Sequence, residues 1–220
     1  MSKIIELSPL IWQGLGETLY MVVVSTFIAY LIGLPLGVIL VATDKNGIRP
    51  MPVLNTVLQV IINFLRSIPF LILLILLMPF TRIVVGTSIG STATIVPLVV
   101  GSAPFIARVV ESSLKEVDRG VIEAAQSMGA SNFKIIYKVL IPEAKPSLIL
   151  GAAITITTIL SYSAMAGACA GGGLGDLAIK YGYHRYQGDV MFIIVIILVL
   201  LVQLFQEVGA RLAKLLDNRL

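Results

Sequence analysis

The sequence predicts an all-α integral membrane protein with five transmembrane helices, and three observations carry that prediction. Of the 220 residues, 57% are hydrophobic and only 13% charged. With a mean hydropathy of +0.98, the chain is composed for lipid and not for water. Apolar runs recur five times at lengths suited to a bilayer, whose core takes ~20 helical residues to cross. A single long polar interval, residues 118–147, separates the third run from the fourth.

The first run carries no charge from Thr18 to Thr43. That is much longer than the core of a cleavable signal peptide, so it is read as a span of about residues 19–41. Gly33, Pro35 and Gly37 lie within it and read as a packing kink, since neighbouring helices can satisfy the freed backbone groups. A short polar connection, with Lys45 and Arg49, leads to the second run. Residues 68–80 alone would reach only roughly 20 Å at the helical rise. The second helix is therefore expected to start near residues 56–61, with Arg66 in its early turns. There Arg66 would snorkel to the headgroups or face protein and water.

The third span is expected over residues 92–110, with Pro97 and Pro104 inside it. At its end Arg108, Glu111 and Lys115 are spaced to share one helix face and to pair. The fourth begins near Pro146 and carries no charge until Asp176. Its second half holds Ser161, Tyr162, Ser163 and Met165, and Gly171 to Gly173 read as a helix end or hinge. Ser161 to Gly167 admit two readings: the lining of a pathway, with Met165 as a flexible apolar gate, or close helix packing through small residues. Residues 176–189 read as a tyrosine-rich interfacial loop. The fifth span covers about residues 190–208, and Arg211, Lys214 and Arg219 lie in a short tail.

The polar interval reads as two short amphipathic helices around a tight turn. Asp118 can cap the first, along which Val121, Ala124, Ala125 and Met128 recur on one face. Gly129 stands where a helix ends in a left-handed residue. Ser131 can cap the second helix, where Phe133, Ile136, Tyr137 and Leu140 repeat the spacing and Pro142 is expected to end the run. Helices this short cannot cross a bilayer. If the interval is cytoplasmic, eleven Lys and Arg residues fall on the inner side and four outside, Arg66 being left unassigned. The positive-inside rule then puts the N-terminus outside and the C-terminus in the cytoplasm.

Several classes are excluded. One Cys allows no internal disulfide, and one Cys with one His makes no protein-only zinc site. The net charge of +4 comes without an aromatic-rich basic face, so nucleic acid is not expected as a partner. No nucleophile–base arrangement or metal cluster is visible, and no catalytic or metal-binding residue is assigned. The phosphate-binding pattern Gly-x-x-x-x-Gly-Lys-Ser/Thr is missing. Carboxylates are nearly missing from the spans, which argues against a proton or sodium relay. Energy for uphill movement would have to arrive from another subunit.

Residues 123–142, EAAQSMGASNFKIIYKVLIP, resemble the EAA loop of the permease subunits of binding-protein-dependent ABC importers. The match rests on Glu123, Ala124, Ala125, Gly129, Val139 and Pro142, with Ile141 where leucine is usual. FLRSIPF, MPFTRIVVGTSIG, GSAPFIARVVE and YSAMAGACAGGGLGDLAIKYGY are similar to the permease of the methionine-uptake importers. The resemblance implies the type I ABC importer permease fold. It implies a homodimer that docks on a cytosolic ATPase dimer through a coupling-helix loop and receives cargo from an extracytoplasmic methionine-binding (lipo)protein. ATP and magnesium would be bound by that ATPase, leaving this chain without a cofactor. The implied cargo is L- and D-methionine and the implied location the bacterial cytoplasmic membrane. The coupling residues expected on this basis are Glu123, Ala124, Ala125, Gly129, Phe133 and Pro142; the pathway residues, on the lining reading of the fourth span, are Ser161, Tyr162, Ser163 and Met165. The expected organisation is an extracytoplasmic segment over 1–18, a permease domain over 19–209 with its loop at 118–147, and a cytoplasmic tail over 210–220. Rival readings are a permease for another small amino acid or an osmoprotectant, and a passive channel or membrane scaffold.

Overall fold

The computed structural model describes the backbone of residues 2–216 and side chains from Leu7 to Leu216. Arg219 of the expected tail and the side chains of Lys3 and Glu6 lie outside the described residues. Among those residues every regular element is helical. Four helices are long and apolar enough to cross a membrane: α1 (Ser2–Thr43), α4 (Ser91–Lys115), α8 (Lys145–Ala166) and α10 (Gly188–Leu216). The helices α2 (Pro52–Ser67) and α3 (Phe70–Val85) supply a fifth span when counted as one broken pair.

This break corrects the expected second span. Pro69 cannot donate to the preceding turn and disfavours helical geometry at Ile68, so α2 stops at Ser67. Arg66 therefore lies in the last turn of α2, where the helix dipole favours a cation. The first and fifth helices also outrun their apolar cores. Helix α1 takes in the segment expected to precede the span, and α10 continues through Arg211 and Lys214 of the expected tail. Hydropathy marks where lipid begins, not where helix ends, and Arg211 Nε donates to Glu207 Oε1 at 2.6 Å one turn away.

The chain forms two compact units. The first comprises residues up to Ile28, Ile68–Ser102 and Ile156–Gln206. Its core gathers Met21, Val22, Phe70, Leu74, Leu98, Ile159, Leu160 and Ala166. A second cluster, of Leu174, Val190 and Ile194, packs against Ile11, Leu15 and Leu177. The expected interfacial loop is mostly helical: α9 (Gly173–Leu177) runs into a π-helical turn over Ala178–Tyr183.

Glycines let α8 and α9 meet backbone to backbone. A Cβ on Gly175 would stand 2.6 Å from Ala164 Cα, and one on Gly167 would collide with Gly175 and Asp176 backbone atoms. Gly172 and Gly173 have φ of +80° and +73°, which breaks the chain between the two helices. The freed N–H groups of α9 are capped from α1. Glu17 Oε2 accepts from Gly173 N at 2.8 Å, and Thr18 Oγ1 accepts from Leu174 N at 2.9 Å.

The second unit comprises Ala29–Ser67, Ala103–Thr155 and the residues from Glu207 onward. Here α1 and α4 approach closely through Gly33 and Gly37. A Cβ on Gly33 would lie 2.6 Å from that of Ile106, and one on Gly37 2.6 Å from that of Val110. The pair therefore serves packing, as small residues one turn apart do in membrane helices. Leu36, Leu40, Leu58, Ile62 and Ala107 fill the adjoining core.

Candidate functional site

Residues 118–144 fold as the sequence requires at their first turn and depart from it at their last. The Asp118 side chain accepts from Gly120 N at 2.6 Å and caps α5 (Arg119–Ser127). At the other end Gly129 N donates to Gln126 O and Ala130 N to Ala125 O, with Gly129 at φ +74°. These are the paired bonds of a glycine-terminated helix. Ser131 Oγ then accepts from Lys134 N and caps α6 (Asn132–Ile135).

Pro142 does not end the run. The backbone widens into a π-helical turn over Ile136–Leu140 and continues as α7 (Ile141–Glu143), with Ala144 N bonded to Leu140 O at 3.0 Å. In a regular helix the proline ring would meet the carbonyl four residues back, at Lys138. The π turn spans that position and moves the carbonyl aside.

The two short helices divide their residues between two faces. Ala125, Ile135 and Leu140 are buried, and α5 packs on α6 and the π turn. Met128 is 81% exposed, Phe133 75% and Tyr137 60%, and Val121 and Ala124 are exposed beside them. The Phe133 and Tyr137 rings stack with centroids 6.3 Å apart. A polar stretch that keeps such side chains in contact with solvent has the character of a docking surface. Of the expected coupling residues, Ala124, Phe133 and Pro142 thus lie on the open side, whereas Ala125 turns into the fold. Glu123 borders a cavity of about 530 Å³ between α5 and the α1–α2 connection, with Lys115 and Arg119 also on its wall.

That connection is fastened to α4. The predicted face forms: Arg108 Nη1 donates to Glu111 Oε2 at 2.6 Å, and Lys115 Nζ donates to Glu111 Oε1 at 2.8 Å. Lys115 Nζ also reaches Asp44 Oδ2 at 2.9 Å. The bond from Lys115 holds the Asp44 carboxyl below the usual carboxylate range. No spacing in the sequence pointed to Asp44, to Asn63, which accepts from Arg108 at 2.8 Å, or to Glu17.

The structure separates the four expected pathway residues. Ser161 and Met165, one turn apart, share an exposed face of α8. Tyr162 stacks on Phe70 with centroids 4.4 Å apart, and Ser163 is buried and donates to Leu160 O at 2.8 Å. Among the described residues no group of three His, Cys, Asp or Glu could hold a metal ion.

The chain is similar to known proteins in sequence and fold. The family described as binding-protein-dependent transport system inner membrane component matches residues 33–220. A probable D-methionine transport system permease protein, MetI, of Vibrio cholerae is 48% identical over 96% of this chain and 94% of its own length. The methionine import system permease protein MetP of Bacillus subtilis is 45% identical over 95% and 94%. A solved structure of the MetNI methionine ABC transporter in inward-facing conformations is similar with a TM-score of 0.95. It shows 47% identity and coverage of 97% of this chain and 99% of the other. An amino acid ABC transporter solved with histidines, at 23% identity, TM-score 0.73 and coverage of 99% and 97%, shares the fold.

Proposed function

This chain belongs to the family of binding-protein-dependent transport system inner membrane components, and we propose that it is the membrane-spanning permease of an ATP-driven methionine importer. The observation that carries the mechanism is the surface of Met128, Phe133 and Tyr137, held open on two capped helices in the one long polar interval of the chain. In this reading two copies form the translocating unit, and each presents that surface to a cytosolic ATPase subunit. Closing of the ATPases on nucleotide draws the two α5 helices together. The spans then switch from inward- to outward-open, a two-state change biased by ATP.

Methionine would arrive from a binding protein on the outer side, where the positive-inside rule puts the N-terminus. Their shared exposed face on α8 supports the reading in which Ser161 and Met165 line a path between two copies. Tyr162 and Ser163 would support that helix from within. The residues of this chain supply position, packing and coupling, and hydrolysis belongs to the partner.

The test is reconstitution with the ATPase and the binding protein in vesicles, followed by ATP-dependent uptake of labelled amino acids. Methionine uptake that needs both ATP and the binding protein supports the reading. Failure to take up methionine alongside ATP-driven uptake of another amino acid overturns the substrate, and uptake that continues without ATP overturns the mechanism.

A further inference from the structure

Helix α4 ends at Lys115, and three residues separate it from α5. The side chains at that junction form one continuous polar chain. It runs from Asn63 on α2 through Arg108, Glu111 and Lys115 on α4 to Asp44 at the end of α1, with donor–acceptor distances of 2.6 to 2.9 Å. Glu111 is its centre. Its side chain is 7% exposed and each of its oxygens holds a different cation. Nearby, Asn55 on α2 donates to Leu40 O and Thr43 Oγ1 at the end of α1.

Apolar residues of the same size would hold these helices at least as firmly, because burying charge costs solvation that pairing only partly returns. What apolar packing would not supply is a fixed register between three segments at the root of α5. Ion pairs and hydrogen bonds are directional, so they resist sliding as well as separation.

We propose that Glu111 is a positioning residue for energy coupling. By holding Arg108 and Lys115 it locks α2 and the α1–α2 connection to the root of α5. A displacement of α5 then moves these segments together and is not absorbed in the 44–51 connection or the cavity beside it. The proposal deepens the transport reading and rests on it.

The experiment compares the reconstituted wild-type transporter with Glu111→Gln, Lys115→Met and Lys115→Arg, recording assembly, ATP hydrolysis and methionine uptake for each. Glu111→Gln and Lys115→Met are expected to assemble normally yet move at least about fivefold less methionine per ATP, the low end of typical coupling energies. Lys115→Arg, which keeps both contacts, is expected to retain the wild-type ratio. An unchanged ratio in Glu111→Gln overturns the proposal, and so does a loss of uptake that merely follows loss of assembled complex. If Glu111→Gln does not assemble, Lys115→Met at a half-exposed site decides by the same criterion. Spin labels at Asn46 and Gln126 give a readout independent of cargo. A distance distribution no broader in Glu111→Gln than in wild type counts against the lock. A wild type that lacks ATP-driven methionine uptake sinks the transport reading alone.

Discussion

Gly175→Ala tests the α8–α9 crossing on which the first unit depends. The added Cβ would lie 2.6 Å from Ala164 Cα and 2.8 Å from Ala164 C, besides meeting the Ala164 carbonyl oxygen. All three atoms are backbone, so no rotamer change relieves the clash and the helices must part. Overpacking costs about 1–3 kcal/mol where side chains can adjust, and here the upper end applies. At roughly 2–4 °C per kcal/mol for a chain of this size, ~3 kcal/mol lowers the apparent melting midpoint by about 6–12 °C. Gly16→Ala is the control: it lies in α1, and nothing stands within 4 Å of the new Cβ. It should be neutral or stabilise by up to ~1 kcal/mol, since alanine is the better helix former. The assay is a thermal ramp of the detergent-solubilised protein at one fixed rate, read as surviving monodisperse material on a sizing column. A Gly175→Ala midpoint indistinguishable from that of Gly16→Ala would refute the backbone contact.

Other expectations follow from single contacts. Glu17→Ala leaves Gly173 N without its acceptor and should cost ~1–3 kcal/mol, whereas Glu17→Gln keeps an acceptor and should recover most of it; the same ramp separates them. Phe133→Ala should leave stability within about 0.5 kcal/mol but weaken ATPase binding at least roughly tenfold, as loss of an exposed aromatic anchor does, and titration of the detergent-solubilised permease with the ATPase measures it. Gly129→Val strains the left-handed helix end against its own backbone, although no neighbour lies within 4 Å of the added Cβ. Uptake per ATP should fall while the permease still inserts, and a normal ratio would count against the role given to this turn. The depressed pKa of Asp44 means that its ion pair stabilises the fold fully above the ordinary carboxylate range and is lost as pH falls through the lowered value. Asp44→Asn should therefore be less stable than wild type by about 0.2–1 kcal/mol at neutral pH, and the gap should close in strong acid.

The parts of this fold that were legible in the sequence are those whose physics is local. Asp118, Gly129 and Ser131 sit within a turn of the groups they satisfy, and all three act as the sequence suggests. Arg108, Glu111 and Lys115 pair along one helix for the same reason. Spans were visible as apolar runs, but their ends were not, because charged residues extend a helix into water as readily as apolar ones build it in lipid. The break at Ile68–Pro69 and the passage of helix through Pro142 show the limit from the other side. Proline forbids one hydrogen bond, and the surrounding packing decides whether the helix stops or widens. Glu17 was beyond reach altogether, since the amide it accepts from lies 156 residues away.

Within residues 118–143, exposure separates two kinds of apolar residue that the helical period alone merges. Val121, Ala124, Ala125 and Met128 recur as one stripe in sequence, yet Ala125 is buried and the other three are open. Exposed apolar side chains on the long apolar helices α1 or α10, such as Phe27 or Phe192, need no partner of their own, because a bilayer accepts them. Met128, Phe133 and Tyr137 are different. They stand on helices too short to span, among Arg119, Lys134, Lys138 and Lys145, which favour water and headgroups. In the proposed reading an ATPase subunit covers this mixed surface. The rigid caps at Asp118, Gly129 and Ser131 then acquire a purpose beyond helix stability. A surface that transmits force, as the proposed coupling requires, has to keep its shape under load, and each cap satisfies a backbone group that would otherwise let an end of the helix fray.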